Sequence, residues 1–476
     1  MENKILIYNS LSRKKEELIP LKPKEIKMYV CGPTVYDEPH IGHARSAYIF
    51  DVIRRYLIYR GYKVKFVRNV TDVDDKIIDK AQKEFKGEDL NIAVKRVSTK
   101  YLDLYRKDMK SLGILDPDVE PKATEYVGKD NPLMQKFIER LIENGCAYVS
   151  EGDVYFDIKK ARDYGKLSNQ ATEKMEAGAR IALGEKKKDP LDFALWKSAK
   201  AGEPAWDSPW GKGRPGWHIE CSVMSSDILG DEFDIHGGGI DLIFPHHENE
   251  IAQSEGAGNK FARYWIHHGL LTINAQKMSK SLGNFITIGA FLDKYKNPDL
   301  LKLFFLSAHY THPIDYSEAK IEESRVALQR IAIFMDKAAL IKPGLMSLFL
   351  KRTPGEITQI KKKFIASLDD DFNTPEALAC VFELVNMANK NITRVDFVIS
   401  AKAALKEMLK VLGITLKPVK ADAQISEEQI KLKIQARLHA KQTKDYALAD
   451  KIRKDLEVQG VILEDSKEGT SWRRNL

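Results

Sequence analysis

The stretch Cys31-Gly32-Pro33-Thr34-Val35-Tyr36-Asp37-Glu38-Pro39-His40-Ile41-Gly42-His43 constrains this chain more than any other. Before it, Glu25-Ile26-Lys27-Met28-Tyr29-Val30 reads as a short strand; after it, Ala47, Phe50, Ile53 and Leu57 recur at helical spacing until Gly61 supplies a C-terminal stop. The stretch is therefore a strand-to-helix turn. Val64, Phe66 and Val70 predict a second strand, so residues 25–70 read as one strand–helix–strand unit with a right-handed crossover. Ligands of such sheets sit beyond the carboxyl ends of the strands, where this turn falls. It offers a thiol, two imidazoles and the free N–H groups of a helix start, a combination suited to a metal and a phosphate together.

A chain of 476 residues suggests about three domains, and 43% hydrophobic content suffices for real cores. The net charge of +8 points towards a polyanionic partner, although a basic balance also serves solubility. The four cysteines, Cys31, Cys146, Cys221 and Cys380, are scattered, which favours reduced thiols or metal ligands over a disulfide framework. The first residues hold too short an apolar run for a signal peptide, and no run of about eighteen apolar residues occurs. A soluble, cytoplasmic protein that does not enter a membrane is expected.

After the second strand, Asp72, Asp74 and Asp75 could form a cation site, but their place before an apolar helix more simply suits the positive end of its dipole. Thr71, at the strand end, is the better substrate-facing candidate. A helical pattern from about Val97 is interrupted at Leu115 to Pro121, and residues 122–215 read as an insertion. It holds a helix from Leu133 to Glu143, a strand pair from Ala147 to Ile158 and a Trp-, Pro- and Gly-rich loop from Glu203 to Trp217. Lys186-Lys187-Lys188 reads as a solvated loop. Doubly wound character resumes with a strand Glu232 to His236 ending in Gly237-Gly238-Gly239, where a nucleotide could approach the backbone closely, although such runs are often only turns.

In Phe244-Pro245-His246-His247-Glu248-Asn249-Glu250, Pro245 can open a helix, which places His246 and Glu250 on one face. The order His-Glu-x-x-His of a zinc protease is absent. Cys221, shortly upstream, and Cys31 complete two thiolates, one imidazole and one carboxylate, a full zinc set. The loop Gln276-Lys277-Met278-Ser279-Lys280-Ser281-Leu282-Gly283-Asn284 places two ammonium groups three apart. Lysines so spaced are common on helix faces; with His40-Ile41-Gly42-His43 on a nucleotide-type fold, they suit charge developing on a leaving pyrophosphate.

At these residues the sequence resembles the class I aminoacyl-tRNA synthetases, and among them the cysteinyl-tRNA synthetases. The resemblance runs through Tyr29 to Arg45, Arg68 to Ile78, Asp189 to Trp196, Gly202 to Ser222, Phe233 to Ser254, Lys277 to Asn284 and Leu463 to Arg474. It implies an α/β fold: a Rossmann-type catalytic domain with a parallel sheet and an insertion, then a helical bundle and a small C-terminal mixed α/β domain. The implied division is 1–121 and 216–268 for the two catalytic halves, 122–215 for the connective insertion, 269–317 for the signature loop and stem contact, 318–420 for the bundle, and 421–476 for anticodon binding.

The resemblance further implies that His40 and His43 hold the ATP phosphates, that adenine packs on Gly42, and that Lys277 and Lys280 belong to a mobile loop, with Lys280 the closer to ATP. Cys31, Cys221, His246 and Glu250 match the zinc ligands, one ion per chain; Thr71, Trp217 and His236 match positions lining the amino-acid pocket; and magnesium accompanies ATP. The expected partners are L-cysteine, ATP and cysteine tRNA, and the expected state is a monomer. Zinc prefers a thiolate to a hydroxyl, which separates cysteine from serine without an editing domain. Four protein ligands normally close a zinc site, so the substrate sulfur is expected to join as a fifth ligand or to loosen Glu250. One departure stands at Thr311-His312, where the family usually has Arg-Ser. Two rivals remain: a tRNA-independent cysteine ligase with the same adenylate chemistry, against which the tail from Ile434 to Leu476 argues, and a non-catalytic RNA-binding relative, against which the retained histidines, lysines and metal ligands argue.

Overall fold

The computed structural model describes residues 4–170, 186–279, 282–341, 353–416, 426–458, 461–466 and 469–474. Its centre is a parallel sheet in the order Phe261–His268, Glu232–Gly239, Glu25–Val30, Lys63–Arg68. Glu25–Val30 pairs with strands on both sides, so the turn that follows it leaves from the middle of the sheet. Alternation along the strands separates two cores. Met28, Val30, Phe66, Ile235 and Ile266 pack with the helix Ile41–Tyr59 and the later helices. Tyr29, Val67, Phe233 and Trp265 pack with the helix Trp217–Leu229 and the insertion.

The strand–helix–strand unit lies as predicted, the helix Ile41–Tyr59 filling the crossover and Gly61 following its end. The helix Leu133–Glu143 and the strands Ala147–Ser150 and Asp153–Phe156 also lie where periodicity puts them. That strand pair extends through Phe193–Ser198 and Gly213–Pro215 into a four-stranded antiparallel sheet. Residues 318–411 form the helices Glu318–Leu340, Gly355–Asp369, Thr374–Lys390 and Val395–Val411, the third capped by Asn373, whose side chain accepts from the Glu376 N–H at 3.2 Å. Beyond them, two helices, Glu427–Gln442 and Tyr446–Val458, and the hairpin Val461–Ser466 with Gly469–Arg474 share a core of Ile430, Leu456, Val461 and Leu463.

Two local expectations change. The helix expected from Val97 begins at Leu90, because Asp89 accepts from the Asn91 and Ile92 N–H groups at 3.1 and 3.2 Å and caps it there. Pro245 opens a helix as expected: Phe244 is extended, and the chain turns helically from Pro245 through His246 and His247 into the regular helix Glu248–Gly256. His246 and Glu250 meet on it, four positions apart. The strand expected to stop at His236 runs on to Gly239, and the space beside its glycines is already filled. A Cβ on Gly237 would fall 2.3 Å from the Phe50 ring and one on Gly239 2.3 Å from the Asp241 carboxylate, so these glycines serve internal packing.

Candidate active site and metal centre

The turn after Glu25–Val30 carries Cys31 at one end and His40 at the other. The Cys31 N–H donates to the Gly237 carbonyl at 3.1 Å, which fixes the thiol beside the neighbouring strand. Cys221 approaches from the helix Trp217–Leu229, while His246 and Glu250 approach from the segment after Gly239. The four predicted ligands converge: Cys31 Sγ lies 3.7 Å from Cys221 Sγ and 3.6 Å from Glu250 Oε1, and Cys221 Sγ lies 3.6 Å from His246 Nε2. A tetrahedral zinc with ordinary Zn–S and Zn–N or Zn–O bonds needs donor separations of roughly 3.3–3.8 Å, and these three distances fit. His246 Nε2 and Glu250 Oε1 stand closer, at 2.9 Å.

A second set, Cys31, His236, His247 and Glu250, also gathers its donors within 4.8 Å. It has one thiolate, and its groups face the first set: His236 Nε2 is 2.6 Å from Glu250 Oε2, and His247 Nε2 is 3.3 Å from Cys31 Sγ. His218 Nδ1 meets His246 Nδ1 at 2.9 Å, which leaves His246 Nε2 for the cluster. Partners that orient ligands in this way commonly surround metal sites, so the donor chemistry favours the two-thiolate set, with His218, His236 and His247 around it.

Burial and neighbours sort the protons within the cluster. Burial raises the Cys31 thiol, reinforced by Cys221 and Glu250. It would raise Cys221 too, but hydrogen bonds with Cys31 and His246 bring that thiol down to about 6. Burial lowers His246, yet Glu250 and Cys221 outweigh it and lift the imidazole to about 10. Glu250, although buried, is held well below the usual carboxylate range by the His236 and His246 imidazoles. The group thus holds anions and a cation paired in a buried space, and a divalent ion can replace the shared protons.

The predicted pocket residues flank this cluster. Trp217 stacks on His246 with ring centroids 4.2 Å apart and is itself 38% exposed, so it forms an accessible wall. Thr71 is buried and donates from Oγ1 to Glu220 Oε2 at 2.6 Å. His236 is fully buried, with Nδ1 3.2 Å from the Tyr29 carbonyl. Asp74 caps the helix Asp75–Glu84 through the Lys76 N–H, and Asp75 pairs with Lys197 and Arg214, in keeping with the structural reading of those carboxylates.

At the far end of the turn, His40 caps the helix Ile41–Tyr59, its Nδ1 accepting from the Gly42 N–H at 3.1 Å while its own N–H donates to His43 Nδ1 at 3.2 Å. The two rings stack with centroids 3.8 Å apart. Burial and His40 lower the His43 imidazole to about 3, so it is neutral at pH 7. A Cβ on Gly42 would fall 2.9 Å from the His40 ring, which explains the glycine between the histidines. The lysine loop is tied to this end: the Ile41 N–H donates to Ile286 at 3.1 Å and the Ile288 N–H to Pro39 at 3.0 Å. Lys277 is exposed on the strand Gln276–Lys277, with Asn284 Nδ2 donating to its carbonyl at 3.1 Å. Lys280 lies outside the described residues.

The departure at Thr311-His312 sits in a turn held through its backbone. Buried Arg45 donates from Nη1 to Gly269 at 2.7 Å and from Nη2 to His312 at 2.5 Å. Sequence reasoning assigned no role to His218, His247 or Glu220. His218 and His247 adjoin predicted residues, Trp217 and His246, and that adjacency was the available signal.

Comparison with known proteins places these features in a wider set. The family described as "tRNA synthetases class I (C) catalytic domain" matches residues 17–326, and the DALR domain matches 363–417. The chain is 48% identical over 480 residues to the cysteine–tRNA ligase of Anoxybacillus flavithermus, covering 99% of each chain. It is also 48% identical over 499 residues to that of Persephonella marina, covering 98% of this chain and 99% of the other. In three dimensions it is similar to Mycobacterium tuberculosis methionyl-tRNA synthetase bound by methionyl-adenylate, with TM-score 0.59, 15% identity, and 82% and 92% of the two chains covered. That likeness concerns the fold alone.

Proposed function

This chain belongs to the cysteine–tRNA ligase family of class I tRNA synthetases, and from that premise we propose that the turn from Cys31 to His43 activates L-cysteine with ATP and passes it to the 3′-terminal adenosine of cysteine tRNA. A cysteine carboxylate oxygen attacks the α-phosphorus of ATP and pyrophosphate leaves. The terminal ribose hydroxyl then attacks the carbonyl carbon and AMP leaves. His40 and His43 hold the phosphates through their rings, because the N–H groups of this helix start are taken up within the chain, Ile41 by Ile286 and Gly42 by His40, rather than left free for the ligand. The charge that develops on pyrophosphate is met by Lys277 and Lys280, with magnesium accompanying ATP.

Cys31, Cys221, His246 and Glu250 would hold one zinc. When bound, zinc supplies a soft cation that prefers a thiolate to a hydroxyl, which distinguishes cysteine from serine. Trp217, Thr71 and His236 line the amino-acid pocket. In our reading the catalytic unit comprises 1–121 and 216–268, with 122–215 inserted and 269–317 carrying the lysine loop; the bundle 318–420 and the unit 421–476 serve the tRNA, and the protein works as a monomer. The observation that carries the proposal is the convergence of Cys221, His246 and Glu250 on Cys31, at three separations that fit zinc, with the stacked histidine pair at the other end of the turn that carries Cys31.

The zinc-loaded chain should catalyse cysteine-dependent exchange of pyrophosphate into ATP, with serine inactive, and should then charge cysteine tRNA. Exchange without charging would instead indicate the tRNA-independent ligase. Absence of both would remove the enzymatic reading.

A further inference from the structure

Arg45 lies in the helix Ile41–Tyr59, two positions after His43, and is 1% exposed. Burial lowers its guanidinium to about 10, so it stays charged at pH 7, and no carboxylate pairs with it among the described residues. It meets backbone carbonyls instead: Nη1 donates to Gly269 at 2.7 Å and to Leu270 at 2.6 Å, and Nη2 to His312 at 2.5 Å and to Tyr310 at 3.4 Å. Nε has no hydrogen-bond partner among the described residues. Neutral carbonyls offset only part of the cost of burying a cation, and an apolar side chain would serve the packing of this helix at lower cost.

The gripped carbonyls stand at the roots of two neighbouring strands. Gly269 and Leu270 lead into Leu271–Ile273, and Tyr310 and His312 lead into Ile314–Tyr316; these strands pair in parallel. The third member of their sheet is Gln276–Lys277, with Lys277 opposite Thr272. Asp315 ties the hairpin to the edge strand, its Oδ1 accepting from Thr272 Oγ1 and from the Ala275 N–H, both at 2.7 Å. The sheet also touches the histidine helix: the Cε of Met278, next to Lys277, lies 3.5 Å from where a Cβ on Gly42 would stand. Beyond the lysine loop, Thr287 pairs with His40 in an isolated bridge. Both ends of the loop are thus fixed to one helix start, the far end through Thr287 and the near end through Arg45.

We infer that Arg45 is a positioning residue for Lys277: it fixes the sheet that carries this lysine against the helix that begins beside His40. The assignment rests on the reading of the histidines and Lys277 as the groups that meet the phosphates of ATP. A planar fork with several donors spans both strand roots at once, which the single ammonium of a lysine in its place would not. Misplacing a group that acts on charge developing in the transition state lowers kcat and leaves binding of the amino acid largely unchanged. A purely structural Arg45 would instead have the same effect on the reaction whether or not Lys277 is present.

On the zinc-loaded full chain, Arg45→Lys should lower kcat for cysteine-dependent pyrophosphate exchange about 10- to 100-fold and leave the KM for cysteine within about twofold. A double-mutant cycle decides between the two roles. In a Lys277→Ala background, where no lysine is left to misplace, Arg45→Lys should lower kcat by less than about threefold. An unchanged kcat in Arg45→Lys, equal losses in the two backgrounds, or a KM for cysteine that rises as kcat falls overturns the assignment. Half-buried Asp315 gives a second variant that leaves the buried guanidinium in place, so a poorly folding Arg45→Lys does not protect the assignment. Asp315→Ala loosens the same sheet from its edge strand and should lower kcat about 3- to 10-fold, but less than about twofold in the Lys277→Ala background. No loss in Asp315→Ala, or an equal loss in both backgrounds, overturns the assignment alone, whereas absence of wild-type exchange overturns the underlying reading and the assignment with it.

Discussion

His246 has both ring nitrogens engaged, Nε2 towards Cys221 and Glu250 and Nδ1 towards His218. His218→Ala should therefore keep the four ligands yet lower zinc affinity about 10- to 100-fold, as measured by competition with a chromogenic chelator. The clustering of the four donors was legible in the sequence because two thiols, an imidazole and a carboxylate form a distinctive set. The histidines around them were not: His218 meets a partner 28 residues away, and His247 meets His267 across 20 residues, with no local pattern to mark either contact. Asp108 gives a pH dependence at the same scale. Burial, reinforced by Glu38 and Asp293 against Lys107, lifts its carboxyl to about 6. The folded chain binds this proton more tightly than the unfolded one, so the associated stability is present below about pH 4 and is lost as pH rises through about 6. Asp108→Asn should be more stable than wild type by roughly 1–2 kcal/mol at pH 7.5 and indistinguishable near pH 4, as measured by urea unfolding at each pH.

Elements were legible where one period dominated, as in the helix Leu133–Glu143, and less so where long-range packing intervened. The three glycines after His236 suggested an open approach for a nucleotide, but Phe50, far away in sequence, occupies the space beside Gly237. The helix start at Pro245 was legible because its signal is local: Phe244 is extended and the chain is helical from Pro245 onward. A buried ion pair joins two elements that sequence periodicity leaves unconnected. Lys302 and Asp299, 2% and 0% exposed, pair at 3.0 Å on the helix Pro298–Leu306; Asp299 Oδ2 also accepts from the Thr415 and Leu416 N–H groups at 3.0 and 2.7 Å. Asp299→Ala should destabilise by about 3–5 kcal/mol because it strands a buried ammonium. Asp299→Asn combined with Lys302→Met should recover a large part of that loss, which urea midpoints of the three chains would show.

At the scale of the molecule, the C-terminal unit has its own small core, Ile430, Leu456, Val461 and Leu463, separate from the core that supports the parallel sheet. Removing residues 421–476 should leave cysteine-dependent exchange within about twofold while charging of cysteine tRNA falls about 100-fold or more; equal losses of both would contradict a role confined to the tRNA. The broad order of catalytic sheet, insertion, helices and small terminal unit was readable because each has its own periodicity and punctuation, whereas the extra strands Phe193–Ser198 and Gly213–Pro215 are short and paired by distant neighbours. The central strand Glu25–Val30 has a further consequence for biogenesis. One of its partners is the distant strand Glu232–Gly239, and Cys31 meets Glu250 only after a further 219 residues have been made. At ordinary elongation rates of about 5–20 residues per second, that thiol waits roughly 10–40 s on the ribosome before its site can close. Through that interval it is open to oxidation, so metal loading is tied to the redox state of the compartment in which the chain is made.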